Sequence, residues 1–227
     1  MLRRASIVSV LILCSVAACD SNPAAVSKFG GQPTLRIINA FTGPVDVLVD
    51  GQVAVSAMAA GAIDTIGPSL GAHTVTLRAS GASSSQSITT AAGALNTVAV
   101  VRSGSGAVSS TVLDDTNSVV PAGATKVRVI HLAPNAGTLQ VYRTQPDFAT
   151  PVSWQFPFNY QPDPTSLSAP FFQSTVGTWE VRIWQTPADA SGWSTAPVKV
   201  IVPLASGEKR TILMLDKAGG GVRVEVI

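Results

Sequence analysis

The chain answers itself. Leu35-Arg36-Ile37-Ile38-Asn39 returns as Val127-Arg128-Val129-Ile130-His131, and Val45-Asp46-Val47-Leu48 as Leu139-Gln140-Val141-Tyr142. Gly71-Ala72-His73-Thr74-Val75-Thr76-Leu77 returns as Gly177-Thr178-Trp179-Glu180-Val181-Arg182-Ile183, and Asn96-Thr97-Val98-Ala99-Val100 as Arg210-Thr211-Ile212-Leu213-Met214. Matches that keep their order restrict the chain to two copies of one unit. They place the copies at 34–113 and 126–227, with 114–125 as a linker containing Pro121 and Gly123.

The unit is built from strands. Short runs of Val, Ile, Leu and Thr alternate with polar residues and stop at Gly, Pro, Asn or Asp, which is the pattern of an all-β domain. Ala57 to Ala62 is rich in alanine but is interrupted by Gly61, and no window carries a convincing helical period. Each copy offers six or seven strands, the size of an antiparallel, immunoglobulin-like β-sandwich. A period of two puts Trp179, Val181 and Ile183 on one face of their strand and Glu180, Arg182 and Trp184 on the other. His73, Val75 and Leu77 take the inner positions in the first copy. Arg36 to Ala40 and Arg128 to Leu132 are apolar on both faces, so each is expected at the centre of a sheet.

The segment ahead of the repeats has another logic. Arg3 and Arg4 lead an apolar run from Ile7 to Val16, followed by Ala17-Ala18-Cys19. The run is too short to span a bilayer, which takes about 20 apolar residues, and it has the form of a cleaved export signal at 1–18. The Val16-Ala17-Ala18-Cys19 ending resembles the bacterial lipobox. That resemblance implies acyl chains on Cys19, anchorage to a membrane and a place in the cell envelope, on the periplasmic face or the cell surface. Several acyl chains suffice for stable anchoring, since each buried methylene contributes about 0.8 kcal/mol.

Cys14, the only other cysteine, lies inside the signal, so the mature body has no thiol and is held by its core alone. Residues 19–33 are small, polar and turn-forming. They read as a flexible tether that reaches at most about 45–50 Å. Loss of Arg3 and Arg4 with the signal leaves 13 basic against 13 acidic residues, which argues against a nucleic-acid partner.

The run Arg128-Val129-Ile130-His131-Leu132-Ala133-Pro134-Asn135-Ala136, then Leu139-Gln140-Val141-Tyr142, Gly177-Thr178-Trp179-Glu180-Val181 and Thr211-Ile212-Leu213, resembles the bacterial family known as domain of unknown function 4397. The resemblance implies an exported or lipid-anchored β-sandwich protein, often with the domain in tandem, and brings no reaction with it. The first copy departs from the pattern, with Asn39 for His131 and Thr42-Gly43 for Pro134-Asn135.

Candidates for chemistry are few. Nucleophilic catalysis needs a Ser or Cys beside an oriented histidine, and the only histidines are His73 and His131. A turn-closing hydrogen bond accounts for His131 and for Asn39 alike. Gly104-Ser105-Gly106 sits in a turn between strands, not at a strand-to-helix elbow. Neither an HExxH nor a paired CxxC is present, and no GxxxxGK[ST] run occurs. Asp114-Asp115 with Asp46 or Asp50 is the one oxygen set suited to calcium, and two adjacent acids at a junction are more often solvated. No cofactor or metal is expected.

Aromatics are lopsided: Trp154, Trp179, Trp184 and Trp193 all fall in the second copy. The alternating Trp154, Phe156, Phe158 and Tyr160 read as an enlarged core. Trp184, on the outer face, reads equally as part of the domain junction or of a ligand surface, and Trp193 lies in a Gly/Ser-rich turn. The sequence thus points to a non-enzymatic, lipid-anchored envelope protein with a binding or structural role toward an envelope protein or polysaccharide. The alternative is a carbohydrate-recognition module that uses Trp184 and Trp193.

Overall fold

The computed structural model describes residues 31–103, 105–113, 119–145, 152–158, 160, 171–185, 198–217 and 220–227, with backbone alone for 152–158, 184 and 185. Its first eight strands are β1 (Thr34–Asn39), β2 (Val45–Val49), β3 (Gln52–Met58), β4 (Ile63–Ile66), β5 (Gly71–Ala79), β6 (Ala82–Thr90), β7 (Leu95–Arg102) and β8 (Val108–Leu113). The next eight are β9 (Ala124–Leu132), β10 (Leu139–Thr144), β11 (Val152–Phe158), β12 (Phe172–Thr175), β13 (Gly177–Gln185), β14 (Val198–Leu204), β15 (Lys209–Asp216) and β16 (Val222–Val226). The fold is all-β, and no helix among the described residues is long and apolar enough to cross a membrane.

Four sheets of four strands form two sandwiches of the same design. The first has orders β4-β1-β7-β8 and β3-β2-β5-β6, the second β12-β9-β15-β16 and β11-β10-β13-β14. Each set holds eight strands where the pattern suggested six or seven, because β4 and β12 are four residues long and too short to show a period. Nor are the sheets wholly antiparallel: β1 runs parallel to β7, and β9 to β15. A period of two is the same in either orientation, so the sequence does not signal this pairing. β9 begins at Ala124, inside the segment read as linker.

Within the first sandwich, Leu35, Ile37, Val98 and Val100 of one sheet meet Val47, Val75, Leu77 and Ile88 of the other. Val129, Ile212 and Met214 meet Val141, Val181, Ile183 and Val202 in the second. These are the alternate residues of each strand, as the period of two requires.

The remaining apolar residues of β1 and β9 explain why every residue of β1 is buried. Ile38, Ala40, Ala99, Val101 and Leu113 pack against Ile130, Leu132, Leu213, Leu215 and Ile227 in a third cluster that joins the two sandwiches. Strand register makes the two sides counterparts: Ile38 pairs with Ala99 as Ile130 pairs with Leu213. The same face of each copy therefore meets the other in a quasi-two-fold seam. Each large aliphatic side chain withdrawn from water there contributes about 1.5–3 kcal/mol before ordering costs. Arg36 and Arg128 lie on the same faces and are buried as well. Arg128 Nε donates to Thr211 Oγ1 at 2.8 Å, and its guanidinium lies 4.5 Å from the centre of the Phe171 ring, which spares the buried cation an unpaired state.

Candidate functional site at the seam

The ends of β1 and β9 at the seam are closed by Asn39 and His131. Asn39 Oδ1 accepts the Phe41 N–H at 3.0 Å while Nδ2 donates to the carbonyls of Gly43, Met58 and Ala59 at 3.0, 2.8 and 3.1 Å. His131 Nδ1 accepts the Ala133 N–H at 3.2 Å, and Nε2 donates to the Gly137 carbonyl at 2.7 Å. These bonds call for the neutral ring protonated at Nε2. Burial lowers the His131 pKa below 6.5, against the Gly137 hydrogen bond and the Asp216 charge.

Tyr160 comes next to His131, edge to face, with ring centres 6.2 Å apart. Its hydroxyl crosses to the first copy, donating to the Arg102 carbonyl at 2.6 Å and accepting the Arg102 N–H at 3.1 Å. The reading of Tyr160 as core of the second copy is corrected here: it is a strut between copies, because β7 runs beyond the end of β1 and leaves backbone groups to satisfy. Burial raises its pKa above 10.0. On the other side, Asp216 accepts from Asn135 N at 3.2 Å and from Asn135 Nδ2 at 2.8 Å. Its pKa is raised by burial, in opposition to those two hydrogen bonds and to the charges of His131 and Arg102. Asp216, Lys217 and Asn135 of the second copy and Asn39, Thr42 and Gly61 of the first border a cleft of about 210 Å³. Arg223 donates from Nη2 to the Gly61 carbonyl beside it.

His73, in β5, is buried with both nitrogens engaged. Nδ1 lies 2.7 Å from Asp50 Oδ2 and Nε2 2.9 Å from the Ser69 carbonyl, while Asp50 Oδ1 accepts the Thr74 N–H at 2.9 Å. Asp50 and Gly51 have φ of 51° and 81°, the left-handed pair of a tight β2–β3 hairpin. Asp50 thus ties that turn to β5. A wider basin of about 510 Å³ opens on the outer sheet between Asp46, Arg78 and the Ser80-Gly81 turn. The Asp46 carboxylate there is engaged, accepting the Ala57 N–H at 2.7 Å.

Cys19, Trp193, Asp114 and Asp115 lie outside the described residues, as do the side chains of Trp154, Phe156, Phe158 and Trp184. By backbone register Trp184 pairs with Gln140, in the sheet β11-β10-β13-β14. That is the outer sheet of the second sandwich, and the seam is made by the other sheet. Trp179 donates from Nε1 to the Thr175 carbonyl at 3.2 Å, with the Arg143 guanidinium 4.3 Å from its ring centre. Asp46 bonds across the β2–β3 pair and Asp50 serves a turn, and among the described residues no three His, Cys, Asp or Glu side chains gather as a metal site. The seam residues Tyr160, Asp216 and Asn135 escaped sequence reasoning. Setting the copies side by side at position 60 against 160, alanine against tyrosine, was the available signal.

Strand order, shared seam and matched turn closures define the molecule as a tandem β-sandwich protein. Residues 33–142 match the family described as Domain of unknown function (DUF4397). The match runs from the start of β1 into β10. No curated protein matches the chain.

Proposed function

We propose that the chain is a lipid-anchored protein of the bacterial cell envelope, held by acyl chains on Cys19, with a non-catalytic binding or structural role toward an envelope protein or polysaccharide. The observation that carries this reading is the Val16-Ala17-Ala18-Cys19 ending of a short, positively led apolar segment. The non-catalytic part is supported by the two histidines, whose ring nitrogens are all engaged in holding turns. An apolar seam between the sandwiches suits a body that presents fixed surfaces at the end of a tether.

The carbohydrate-recognition alternative, on Trp184 and Trp193, draws less support. Arg182, which shares its face of β13 with position 184, is only 6 % exposed, whereas a sugar platform needs an open face. Metabolic labelling with palmitate tests the anchor: the wild type takes up label and Cys19→Ala does not. Equal uptake by both, or none by the wild type, overturns it. Co-sedimentation with peptidoglycan, beside Trp184→Ala, tests the sugar alternative.

A further inference from the structure

The cleft at the seam is the counterpart of the Tyr160 seat. Val45 lies opposite Met58 and Val47 opposite Val55 and Leu77, while Leu139 lies opposite Phe158 and Val141 opposite Gln155 and Ile183. The same register shifts occur in both hairpins, so the correspondence runs through β3 and β11 unchanged. Two residues beyond Met58 and Phe158, Ala60 holds the place of Tyr160. The quasi-two-fold relation also carries Arg102 to Asp216 and His131 to Asn39. A ring placed like Tyr160 but projecting from the first copy would lie among Ala60, Asp216 and Asn39. All three line the 210 Å³ cleft.

We infer that this cleft is a binding site for a single hydroxyl-bearing aromatic ring, supplied as a small phenolic compound. One copy of the seat holds a phenol covalently, as a side chain; the other has an alanine in its place and open space beyond it. The walls suit a ring. Leu215 and Ala40 are apolar, and Phe41, which stands where the second copy has Ala133, adds an aromatic surface for offset or edge contact. Asp216, Thr42 and Lys217 are also in the lining, and their side chains carry groups able to pair with a ring hydroxyl.

This gives a ligand class to the binding role proposed above, and that role is the reading it rests on. The test is separate from the anchor, because it is read on the purified full chain whether or not Cys19 carries lipid. The probe is p-cresol, the tyrosine side chain as a free molecule. It is expected to raise the melting temperature of the wild type saturably and to shift amide signals of residues 40–42, 60–61 and 215–217. Toluene, lacking the hydroxyl, is expected to bind about threefold to tenfold more weakly.

Ala60 is not among the residues with positive φ, so Ala60→Tyr is compatible with the backbone. It is expected to fill the cleft from within, raise the melting temperature by about 2–4 °C and abolish the p-cresol response. Absence of any p-cresol response in the wild type, amide shifts centred elsewhere, or an Ala60→Tyr protein that still responds like the wild type would each overturn the inference. The amide map of the wild type decides the matter even if the variant folds poorly.

Discussion

Asn39 and His131 are different residues that close their turns in the same way, each accepting a hydrogen bond from the N–H two residues on and donating across the turn that follows its strand. The amide does with Oδ1 and Nδ2 what the imidazole does with Nδ1 and Nε2. His131→Ala leaves the buried Ala133 N–H without its partner, at about 1–3 kcal/mol, and leaves the carbonyl of the exposed Gly137 to water. His131→Asn should recover part of that loss, since the first copy already uses the amide. Urea unfolding of the two variants checks this; equal losses would show that ring packing, not turn closure, is what His131 supplies.

The two histidines should give the stability curve opposite slopes. The Asp50 hydrogen bond, and after it the Ser69 carbonyl, raises the His73 pKa above 6.5. The folded chain therefore keeps a proton that the unfolded chain releases, and the stabilisation, whole below pH 6.5, is lost as pH rises through the raised value. Asp50 is shifted down from 3.8, first by the His73 hydrogen bond and then by the Thr74 N–H, so its contribution is whole above 3.8 and fades as pH falls through the lowered value. His131 is shifted down by burial, and stability falls as pH drops below 6.5 because only the unfolded chain takes up the proton. His73→Gln should flatten the alkaline side and His131→Asn the acid side, in urea midpoints measured across about pH 5–8.

The seam should make the two sandwiches unfold together. Leu213→Ala removes a fully buried side chain from it and is expected to cost about 2–5 kcal/mol. Leu213→Asp buries a charge among Ile38, Ala99 and Val101 and should uncouple the copies, giving two calorimetric transitions in place of one. A single transition in Leu213→Asp would mean that the linker and Tyr160 suffice to couple them.

Tyr160→Phe keeps the ring and removes the hydroxyl from both the N–H and the carbonyl of Arg102. The expected loss is about 1–3 kcal/mol, accompanied by faster hydrogen exchange at the Arg102 amide than at Val100. An unchanged exchange rate at Arg102 would show that the N–H has another partner.

Much of the fold was legible because alternation is local. The inward rows Val75 and Leu77, or Val181 and Ile183, can be read from a few consecutive residues. The apolar character of both faces at Ile37 and Ile38 placed β1 centrally. Its deeper cause, a second sandwich against the Ile38 face, depends on residues more than ninety positions away, and no periodicity reports that. The candidate site was less legible. Tyr160 looks like one more member of an aromatic row until Arg102, at the far end of another copy, is known to lie within reach of its hydroxyl. Asp216 carries no motif, and what distinguishes it is burial beside Asn135.

The quasi-two-fold seam also lifts a restriction that identical subunits cannot escape. When two copies of one chain meet about an axis, each side chain beside that axis faces itself, and a charge there faces its own sign. Joined in a single polypeptide, the copies differ independently. Arg102 and Asp216 hold equivalent positions with opposite charge, and the Arg102 charge favours the ionised Asp216 carboxylate. The molecule keeps the packing of a symmetric pair while assigning a different chemistry to each side of its axis.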